Sequence, residues 1–329
     1  MIKIFLITII FLPFHIDANA DDIKLTTWNI EHLGTSGRGF GGGFGGGSIP
    51  LRNDKQLKDI GEFIRDDLKS DIVALQEISI DYIEDGESRS EQLDIVIKEM
   101  GSDYRYYIPP QHEDHDDESM YVGFLWNSSK VNAAKVAPLD VPNLKLAGKS
   151  LFDRTPVIGY FEIKTVNGSA NDFVAVNVHL ASGQHNDENH LIAMTMIEYR
   201  LNKALKSLQI KESDRIILGD FNDNPYAKSP TDKNIHTDAL YHHMKFKGYS
   251  DFVTDDFHST RMDNKLRSVI DHILVNKGAK KDIDEMKAEI YLPPSGKSGF
   301  AQWRKTYSDH FPISIYINTL TKDNDVDWK

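Results

Sequence analysis

The chain has 329 residues, of which 40% are hydrophobic, and its formal net charge is −12. This length exceeds the usual single domain, but large β-rich folds reach it as one unit with a sizeable core. The absence of cysteine excludes disulfides, thiol catalysis and zinc sites built on cysteine. The acidic charge excludes bulk binding of polyanions, so contact with nucleic acid would require local basic patches or metal ions.

The first twenty residues have the pattern of a secretory signal. Lys3 precedes an apolar run from Ile4 to Phe14, and the small residues of Ala18-Asn19-Ala20 follow that run. A buried strand or a membrane anchor is the alternative interpretation, although the run is too short to span a bilayer. We therefore expect a signal peptide at 1–20, one mature domain at 21–329 without a membrane anchor, and a secreted or periplasmic protein.

The first elements predicted after the signal are a strand, a glycine-rich loop, a helix and a second strand. Lys24 to Ile30 alternates as a half-buried strand does. Gly34 to Ser48 lacks the lysine and the spacing of a phosphate-binding loop, so it is interpreted as a mobile loop beside a cleft or as a plain flexible connector. Asp54 to Lys69 has helical periodicity, and the apolar run Asp71 to Leu75 follows it as a strand.

The remainder of the mature chain contains many strand-like runs and few helical ones. A helix is predicted over Ser90 to Met100, and the acidic loop at 112–118 is interpreted as solvated charge rather than a cation site. Another helix is predicted over Asp187 to Leu208. Because strands and helices do not alternate regularly, we predict an α+β sandwich with helices packed outside two sheets. Further strands are predicted at Tyr121–Trp126, Val157–Val166, Phe173–Leu180, Arg215–Gly219, Val269–Val275 and Phe311–Asn318.

Six short motifs each place an acid, an amide or an imidazole at or next to the end of a predicted strand. A sheet could therefore gather groups that are distant in sequence into one cleft, while the apolar stretches hold them rigidly. The motifs are Trp28-Asn29-Ile30-Glu31, Leu75-Gln76-Glu77, Asn177-Val178-His179-Leu180, Gly219-Asp220-Phe221-Asn222, Ile270-Asp271-His272 and Ser308-Asp309-His310.

Three of these side chains suit a hard divalent cation. Asn29, Glu77 and Asp309 offer the oxygen ligands that Mg²⁺, Mn²⁺ or Ca²⁺ prefer. Hydrolysis of a phosphodiester requires such a cation to neutralise the phosphate, together with a group that positions or deprotonates water. The motifs are therefore typical of metal-assisted phosphodiester hydrolysis.

The other motif residues suit proton transfer. Asp220 and Asn222 are two positions apart on an extended segment and would point the same way, one orienting water and one holding a phosphate oxygen. His179 and His310 are candidates for proton transfer or for stabilising the phosphorane-like charge, and Asp271 would orient His310. Each residue alone is more often structural, but the six motifs together favour one active site.

The order and spacing of the six motifs resemble the signature of the endonuclease/exonuclease/phosphatase superfamily. Its members include deoxyribonuclease I, exonuclease III, abasic-site endonucleases, sphingomyelinases and inositol polyphosphate 5-phosphatases. The resemblance covers nearly the whole mature chain, and it is specific for the superfamily rather than for a substrate. It implies a four-layer αββα sandwich, deoxyribonuclease I-like, and divalent-metal phosphoesterase chemistry.

The resemblance also implies roles for single residues. Asn29 and Glu77 become the core metal site, for Mg²⁺ or else Mn²⁺ or Ca²⁺, with Glu31 and Asp309 as further metal contacts. Arg154 resembles the substrate-facing arginine of deoxyribonuclease I-like members, and the alternative is a surface arginine that caps a strand. The groups implied to be catalytic or phosphate-binding are His179, Asp220, Asn222, Asp271 and His310.

Two departures from the family pattern matter. Deoxyribonuclease I-like members pair the first catalytic histidine with a glutamate, but here Ser119 occupies that place and Glu118 is one residue away, so the partner of His179 stays open. The structural disulfides of the family are impossible without cysteine, which points to a bacterial-type branch.

The residues around the motifs bear on the substrate. The segment from His179 to Gln184, followed by a helix that contains Arg200, resembles secreted bacterial nucleases. Inositol 5-phosphatases carry a Cys-Asp-Arg segment where this chain has Ile270-Asp271-His272, and no convincing membrane-docking aromatic hairpin of the sphingomyelinase type is present. The sequence thus favours a nuclease over the lipid and inositide enzymes.

A basic and aromatic segment, Ser295 to Tyr307, precedes the last motif. It is predicted to be a loop in which Trp303 and Arg304 bind nucleic acid by stacking and by charge. Packing of Trp303 into the fold, with solvated lysines around it, is an equally good alternative.

The sequence predicts a monomeric, exported endonuclease that hydrolyses DNA, or also RNA, and leaves 5′-phosphate ends as relatives of this branch do. One alternative is a phosphodiesterase or phosphatase that acts on lipid or small-molecule phosphoesters. Another is a degenerate member that binds a partner without catalysis, but the intact set of Glu77, His179, Asp220 and His310 argues against it.

Overall fold

The computed structural model describes residues 22–34, 51–110, 120–142, 144–146, 148–164, 171–182, 187–225, 239–254, 260–261, 268–283, 288–292 and 297–319. The predicted signal peptide, the glycine-rich stretch beyond Gly34 and the acidic loop at 112–118 lie outside these ranges. Glu118 and Ser119, the two alternatives discussed for the partner of His179, also lie outside them. Across the described ranges, no helix combines the length and the apolar character needed to cross a membrane.

The described residues form strands over much of their length, as the apolar runs predict. The strands, in chain order, are β1 (Ile23–Leu33), β2 (Ile72–Ile78), β3 (Tyr82–Glu84), β4 (Glu87–Arg89), β5 (Tyr104–Tyr107), β6 (Tyr121–Asn127), β7 (Val131–Pro138), β8 (Lys145–Leu146), β9 (Lys149–Ser150), β10 (Val157–Ile163), β11 (Asp172–His179), β12 (Arg215–Asp220), β13 (Tyr249–Asp251), β14 (Asp271–Asn276), β15 (Glu289–Ile290) and β16 (Ile313–Ile317).

The first helix begins at a pair of capping side chains. Asn53 and Gln56 form a capping box at the first helix, in which each side chain accepts a hydrogen bond from the backbone N–H of the other residue. That helix continues as a π-helix, Phe63–Leu68, and ends at the left-handed residue Lys69. A 3₁₀ helix spans Ala279–Asp282. The α-helices are α1 (Asp54–Glu62), α2 (Glu91–Met100), α3 (Asp187–Leu208), α4 (Ala239–Phe246) and α5 (Lys297–Thr306).

Two six-stranded mixed sheets make up the centre of the fold. Their strand orders are β15-β16-β1-β2-β6-β5 and β13-β14-β12-β11-β10-β7. In the first sheet β1 and β2 are parallel, and in the second β11 and β12 are parallel. The other strand pairs of both sheets are antiparallel. Each sheet therefore has one parallel pair at its middle, whose two carboxyl ends lie at the same edge.

Three apolar clusters separate four layers of structure. The central cluster lies between the sheets, where the rings of Phe124 and Phe161 pack edge to face with centroids 5.2 Å apart. A second cluster joins the outer face of β1 and β2 to α1, α2 and α5, and a third joins the outer face of β11 and β12 to α3 and α4. Residues alternate between the two faces of each strand, so every central strand is buried on both sides. The predicted αββα sandwich is confirmed.

The predicted elements match the structure closely, apart from two changes within elements and one wrong prediction. The strand predicted over Val269 to Val275 begins instead at Asp271, and the helix predicted over Asp54 to Lys69 changes to π geometry at Phe63. The prediction of a loop before the last motif is wrong, because Lys297–Thr306 forms α5. The alternation of basic and aromatic residues is interpreted as a loop, but it belongs to a helix whose apolar side faces the core.

Candidate active site

The predicted site residues meet at one edge of the two sheets. In the first sheet β1 and β2 run parallel, so Asn29 and Glu77 lie together near their carboxyl ends. In the second sheet the parallel strands β11 and β12 end at the paired residues His179 and Asp220. The antiparallel strand β14 begins at this edge, where Asp271 pairs with Asp220. The topology therefore gathers motifs that are far apart in the chain.

The backbone is unusual where the strands end at the site. Glu31, Glu77 and Asn222 have positive φ angles of 52°, 63° and 49°, a region that residues with a Cβ rarely adopt. Gly219 has a φ of 146°, and a Cβ atom there would lie 1.9 Å from the carbonyl oxygen of Val178. Only glycine allows this close approach, which brings β12 to its polar end. Such conformations concentrate at functional sites.

His310 is oriented by a carboxylate and surrounded by others. Its Nδ1 bonds Asp271 Oδ2 at 2.9 Å, and its Nε2 lies 3.8 Å from Asp220 Oδ2 and 3.7 Å from Asp309 Oδ1. Burial lowers the pKa of His310, but Asp271, Asp309 and Asp220 outweigh it and raise the pKa to about 10. A protonated imidazole at this position can donate a proton through Nε2.

His179 has the opposite electrostatic surroundings. Its Nε2 lies 3.5 Å from Asp220 Oδ2 and 4.0 Å from Glu77 Oε1. Its Nδ1 is buried and has no hydrogen-bond partner within the part of the chain that the structure describes. Burial, Arg154 and His310 hold the pKa of His179 well below its usual range. The ring is therefore neutral and able to accept a proton.

Asn29 joins the two sheets across the site. Its Nδ2 donates to Glu77 Oε1 and to Asp220 Oδ2, both at 3.0 Å, and its Oδ1 accepts the backbone N–H of Glu31 at 3.0 Å. The amide therefore turns its nitrogen, not its oxygen, toward the two carboxylates. In this arrangement Asn29 positions the carboxylates and its oxygen is already used by the backbone.

Asp220 lies at the centre of the site. Burial and the neighbouring carboxylate of Asp271 raise the pKa of Asp220 to about 6. Its Oδ1 accepts the backbone N–H of Asn222 at 2.9 Å, and the Asn222 side chain donates to the carbonyl of Leu180, also at 2.9 Å. These bonds tie the β12 end to the β11 end and fix both side chains at the cleft.

Arg154 acts electrostatically on His179, whose pKa it lowers. It follows Phe152-Asp153, before β10, and its Nη1 is buried without a hydrogen-bond partner among the described residues. A guanidinium nitrogen without an acceptor among the described residues is a donor that an anionic oxygen could satisfy. The substrate-facing role of Arg154 stays a prediction.

The family model described as the Endonuclease/Exonuclease/phosphatase family matches residues 26–310. The chain belongs to this family. Members of the family are hydrolases that act on phosphoesters and generally use divalent metals. The match includes all six motifs, so the superfamily predicted from the motif order is confirmed. No curated protein matches the chain significantly.

Solved structures of several family members share the fold. A family protein from Bacteroides thetaiotaomicron has a TM-score of 0.56 at 16% identity, and the alignment covers 91% of this chain and 96% of that chain. The human Nocturnin catalytic domain, with bound sulfate, has a TM-score of 0.55 at 15% identity over 91% and 94% of the two chains. A mannosyl-6-phosphatase from B. thetaiotaomicron has a TM-score of 0.55 at 15% identity over 90% and 99%.

The donors of this family member fit a hard divalent cation. Glu77 is partly open to the cleft, with a side chain 16% exposed, and its Oε1 and Oε2 each accept one hydrogen bond, from Asn29 and from the His32 backbone. Burial and, after it, the Asp271 carboxylate raise the pKa of Asp220, and a nearby cation would offset both effects. Asp220, Asp271 and His310 could also hold a cation, since their ligand atoms lie within 4.8 Å of one another.

Two predicted metal contacts have other partners. The Glu31 carboxylate is bound by Arg304, through Nε at 3.0 and 3.2 Å and through Nη2 at 2.5 Å. Asp309 Oδ2 accepts from Arg261 Nε at 3.1 Å and lies 3.9 Å from Arg304 Nη2. The Glu31 carboxylate is therefore already bound by Arg304, and Oδ1 is the Asp309 oxygen without an arginine partner among the described residues.

The predicted stacking role of Trp303 is contradicted by its position. The side chain is 5% exposed and its indole packs among Trp28, Phe63, Tyr291 and Tyr307, with the Tyr307 ring centroid 4.4 Å away. No face of the ring is open to a base. Trp303 instead anchors α5 on the first sheet, which is the alternative that the sequence left open.

Three site residues were missed by the sequence analysis. Arg261 forms a β-bridge with His310 and binds Asp309, while the His32 imidazole lies 3.6 Å from Glu77 Oε2. Arg52 is buried and donates to the carbonyls of four residues at the ends of β1 and α5. His32 follows the first motif and was within reach of sequence reasoning, but Arg261 and Arg52 lie in segments with no strand-end signal.

Proposed function

We propose that the protein is a divalent-metal-dependent endonuclease that hydrolyses phosphodiester bonds of DNA. The observation that carries the proposal is that the imidazole rings of His179 and His310 both lie beside Asp220. His310 is held by Asp271 and surrounded by carboxylates, whereas His179 lies beside Arg154 and has no partner for Nδ1 in the described ranges. One site thus contains a proton donor and a proton acceptor.

Phosphodiester hydrolysis needs both a proton donor and a proton acceptor. A bond forms between water and phosphorus, and the bond from phosphorus to the leaving sugar oxygen breaks. The neutral His179 takes the proton of the attacking water, and the protonated His310 gives a proton to the leaving oxygen. Asp220, between the two rings, orients the water through the oxygen that faces them.

A divalent cation beside Glu77 would supply charge neutralisation for the phosphate. We propose Mg²⁺, with Mn²⁺ and Ca²⁺ as alternatives, since carboxylate oxygens suit these ions. Glu77 would hold the ion, with Asn29 and Asp309 beside it. Arg154 would hold a non-bridging phosphate oxygen through Nη1, which has no acceptor in the described part of the protein.

A second candidate is a phosphatase of small phosphoesters. Arg261 is half-exposed and adds a second guanidinium to that of Arg154, and two guanidinium groups suit a dianionic monoester. A mannosyl-6-phosphatase is among the structures with this fold. The buried position of Trp303 also removes one argument for binding a nucleic-acid strand.

A substrate panel separates these functions. The purified protein is incubated with supercoiled plasmid, RNA, sphingomyelin vesicles and a sugar phosphate, each with Mg²⁺ or with EDTA. The proposal expects nicking of the plasmid with Mg²⁺ and none with EDTA. Release of phosphate from the sugar phosphate alone would establish the phosphatase, and hydrolysis of sphingomyelin alone would establish a lipid phosphodiesterase. A protein that turns over none of them would be a binding module.

We also propose that the protein is exported and acts as a monomer in the periplasm or the medium. The support for export is the charged and apolar pattern of residues 1–20. Cell fractionation of the full chain and of a variant without residues 2–20 tests this proposal. Retention of the full chain in the cytoplasm, unprocessed, would contradict it. Sedimentation of the processed protein gives its oligomeric state.

A further inference from the structure

Glu31 occupies a position from which the family resemblance implies a metal contact, yet its side chain is used otherwise. The carboxylate is buried, with a side chain 5% exposed, and it is bound in a bidentate manner by the Arg304 guanidinium. Bidentate contact with arginine uses the lone pairs that a metal ion would need. Glu31 thus has a cationic partner within the protein.

The same guanidinium extends to the last motif. Arg304 Nη2 is 3.9 Å from Asp309 Oδ2, the oxygen that also accepts from Arg261 Nε at 3.1 Å. Asp309 and Glu31 repel each other electrostatically, and Arg304 offsets this repulsion. A positive group therefore already lies between the two carboxylates that could otherwise share a cation.

The position of Arg304 is set by the fold. Trp303, the preceding residue, is buried in the core and anchors α5. Arg52 is also buried, and it donates to the carbonyls of Glu31 and Thr306, so it ties the end of β1 to the end of α5. Glu31 and Arg304 are consequently held opposite each other, with the Glu31 carboxylate buried and the Arg304 side chain 48% exposed.

We infer that the Arg304 guanidinium takes the place of a second divalent cation, so that the protein binds one such ion, beside Glu77. This inference deepens the proposed function, on whose metal dependence it rests. An ion between Glu31 and Asp309 would lie next to the guanidinium and would have to displace it from both carboxylates. Removal of the Arg304 guanidinium would leave the buried Glu31 carboxylate without its bidentate partner and Asp309 with Arg261 alone, and the two carboxylates would then bind an added cation.

Titration of the full chain with Mn²⁺, followed by electron paramagnetic resonance of the free ion, measures the number of bound ions without substrate. We expect one ion for the wild type and two for Arg304→Met. The double variant Arg304→Met with Glu31→Gln should again bind one ion. Lys305→Met removes one positive charge from the exposed neighbouring position on α5 and should leave the number at one.

Two ions in the wild type would overturn the inference, as would one ion in a folded Arg304→Met. Should that variant not fold, Glu31→Gln in the wild-type background gives a second test. Because Glu31 is not a ligand in this interpretation, the Mn²⁺ affinity of the Glu31→Gln variant should stay within about threefold of that of the wild type. A loss of affinity above about tenfold would overturn the inference. The number of bound ions is measured independently of the substrate panel. A protein that binds one ion but cleaves no DNA contradicts only the proposed nuclease function. A protein that cleaves DNA with two bound ions contradicts only the inference.

Discussion

The Nδ1 atom of His310 bonds Asp271 Oδ2 at 2.9 Å, and this bond leaves Nε2 as the only ring nitrogen that faces Asp220. Thirty-nine positions separate the two residues in the chain. They meet because β14 begins at Asp271 beside the end of β12, while the segment before β16 bridges to Arg261. The orientation of the imidazole is therefore a consequence of strand order.

Replacement of His310 by alanine should lower kcat by about 10²- to 10⁴-fold, because a positioned proton donor contributes this much to catalysis. Asp271→Asn should also lower kcat, since the amide cannot keep the imidazole protonated. Circular dichroism should show folded proteins, and kcat on the best substrate of the panel is the measurement. His242→Ala, on the exposed side of α4, is the control. A normal rate in either site variant would refute the assigned role.

Glu77→Gln should abolish most metal-dependent turnover and weaken Mn²⁺ binding, because it removes the carboxylate that is open to the cleft. EDTA should abolish turnover in the wild type, and excess Mg²⁺ should restore it. Isothermal titration with Mn²⁺ gives the affinity of both proteins. Glu62→Gln, at an exposed position of α1, removes the same charge and should behave as the wild type. Unchanged affinity in Glu77→Gln would place the ion elsewhere, for instance at Asp220, Asp271 and His310.

Arg154→Ala should raise KM and lower kcat/KM by about tenfold to a hundredfold, which corresponds to about 1.5–3 kcal/mol for a charge-assisted hydrogen bond to phosphate. Arg154→Lys should restore the activity only in part, since lysine lacks the planar fork of donors. Steady-state kinetics measure both. Arg105→Ala, exposed on β5, removes the same charge away from the cleft. Equal kinetics for Arg154→Ala and Arg105→Ala would exclude contact between Arg154 and the substrate.

Trp303→Ala should lower the free energy of unfolding by about 3–5 kcal/mol, because it removes a large buried side chain. Trp303→Phe should lower the free energy of unfolding by a smaller amount. Urea denaturation measures both values. Because the ring is a core residue, the folded Trp303→Phe variant should have a KM for DNA close to that of the wild type. A much higher KM with unchanged stability would instead restore the stacking role.

The pH dependence of stability should reveal the pair formed by His272 and Asp251, whose Nδ1 and Oδ2 atoms are 2.9 Å apart. Burial lowers the pKa of His272, but Asp251 outweighs it, so the pKa lies above the ordinary 6.5. The pair therefore stabilises the folded state fully below about pH 6.5, and this stabilisation is lost as the pH rises through the folded-state pKa of His272. Asp251→Asn should cost about 1–3 kcal/mol at pH 6 and less at pH 9, as measured by urea denaturation. An equal cost at both pH values would contradict this assignment.

The sequence determined much of this protein without the structure. Alternating apolar residues specify strands such as β1 and β11, since a strand must bury one or both faces, and the motif order is sufficient to identify the family. Which motif residues share one cleft also follows, because parallel strands end at the same sheet edge. These properties are local, or they depend only on strand direction.

The tertiary structure decided which side chain binds which partner. Arg304 and Trp303 are adjacent in a basic and aromatic segment, yet one binds Glu31 and the other packs in the core, because α5 turns them to different sides. Arg261 and Arg52 belong to the site only because distant segments place their guanidinium groups beside Asp309 and the β1 end. Strand periodicity shows which face a residue occupies, but the choice between a metal ligand, an ion pair and a core contact depends on charges and volumes that distant parts of the chain bring together.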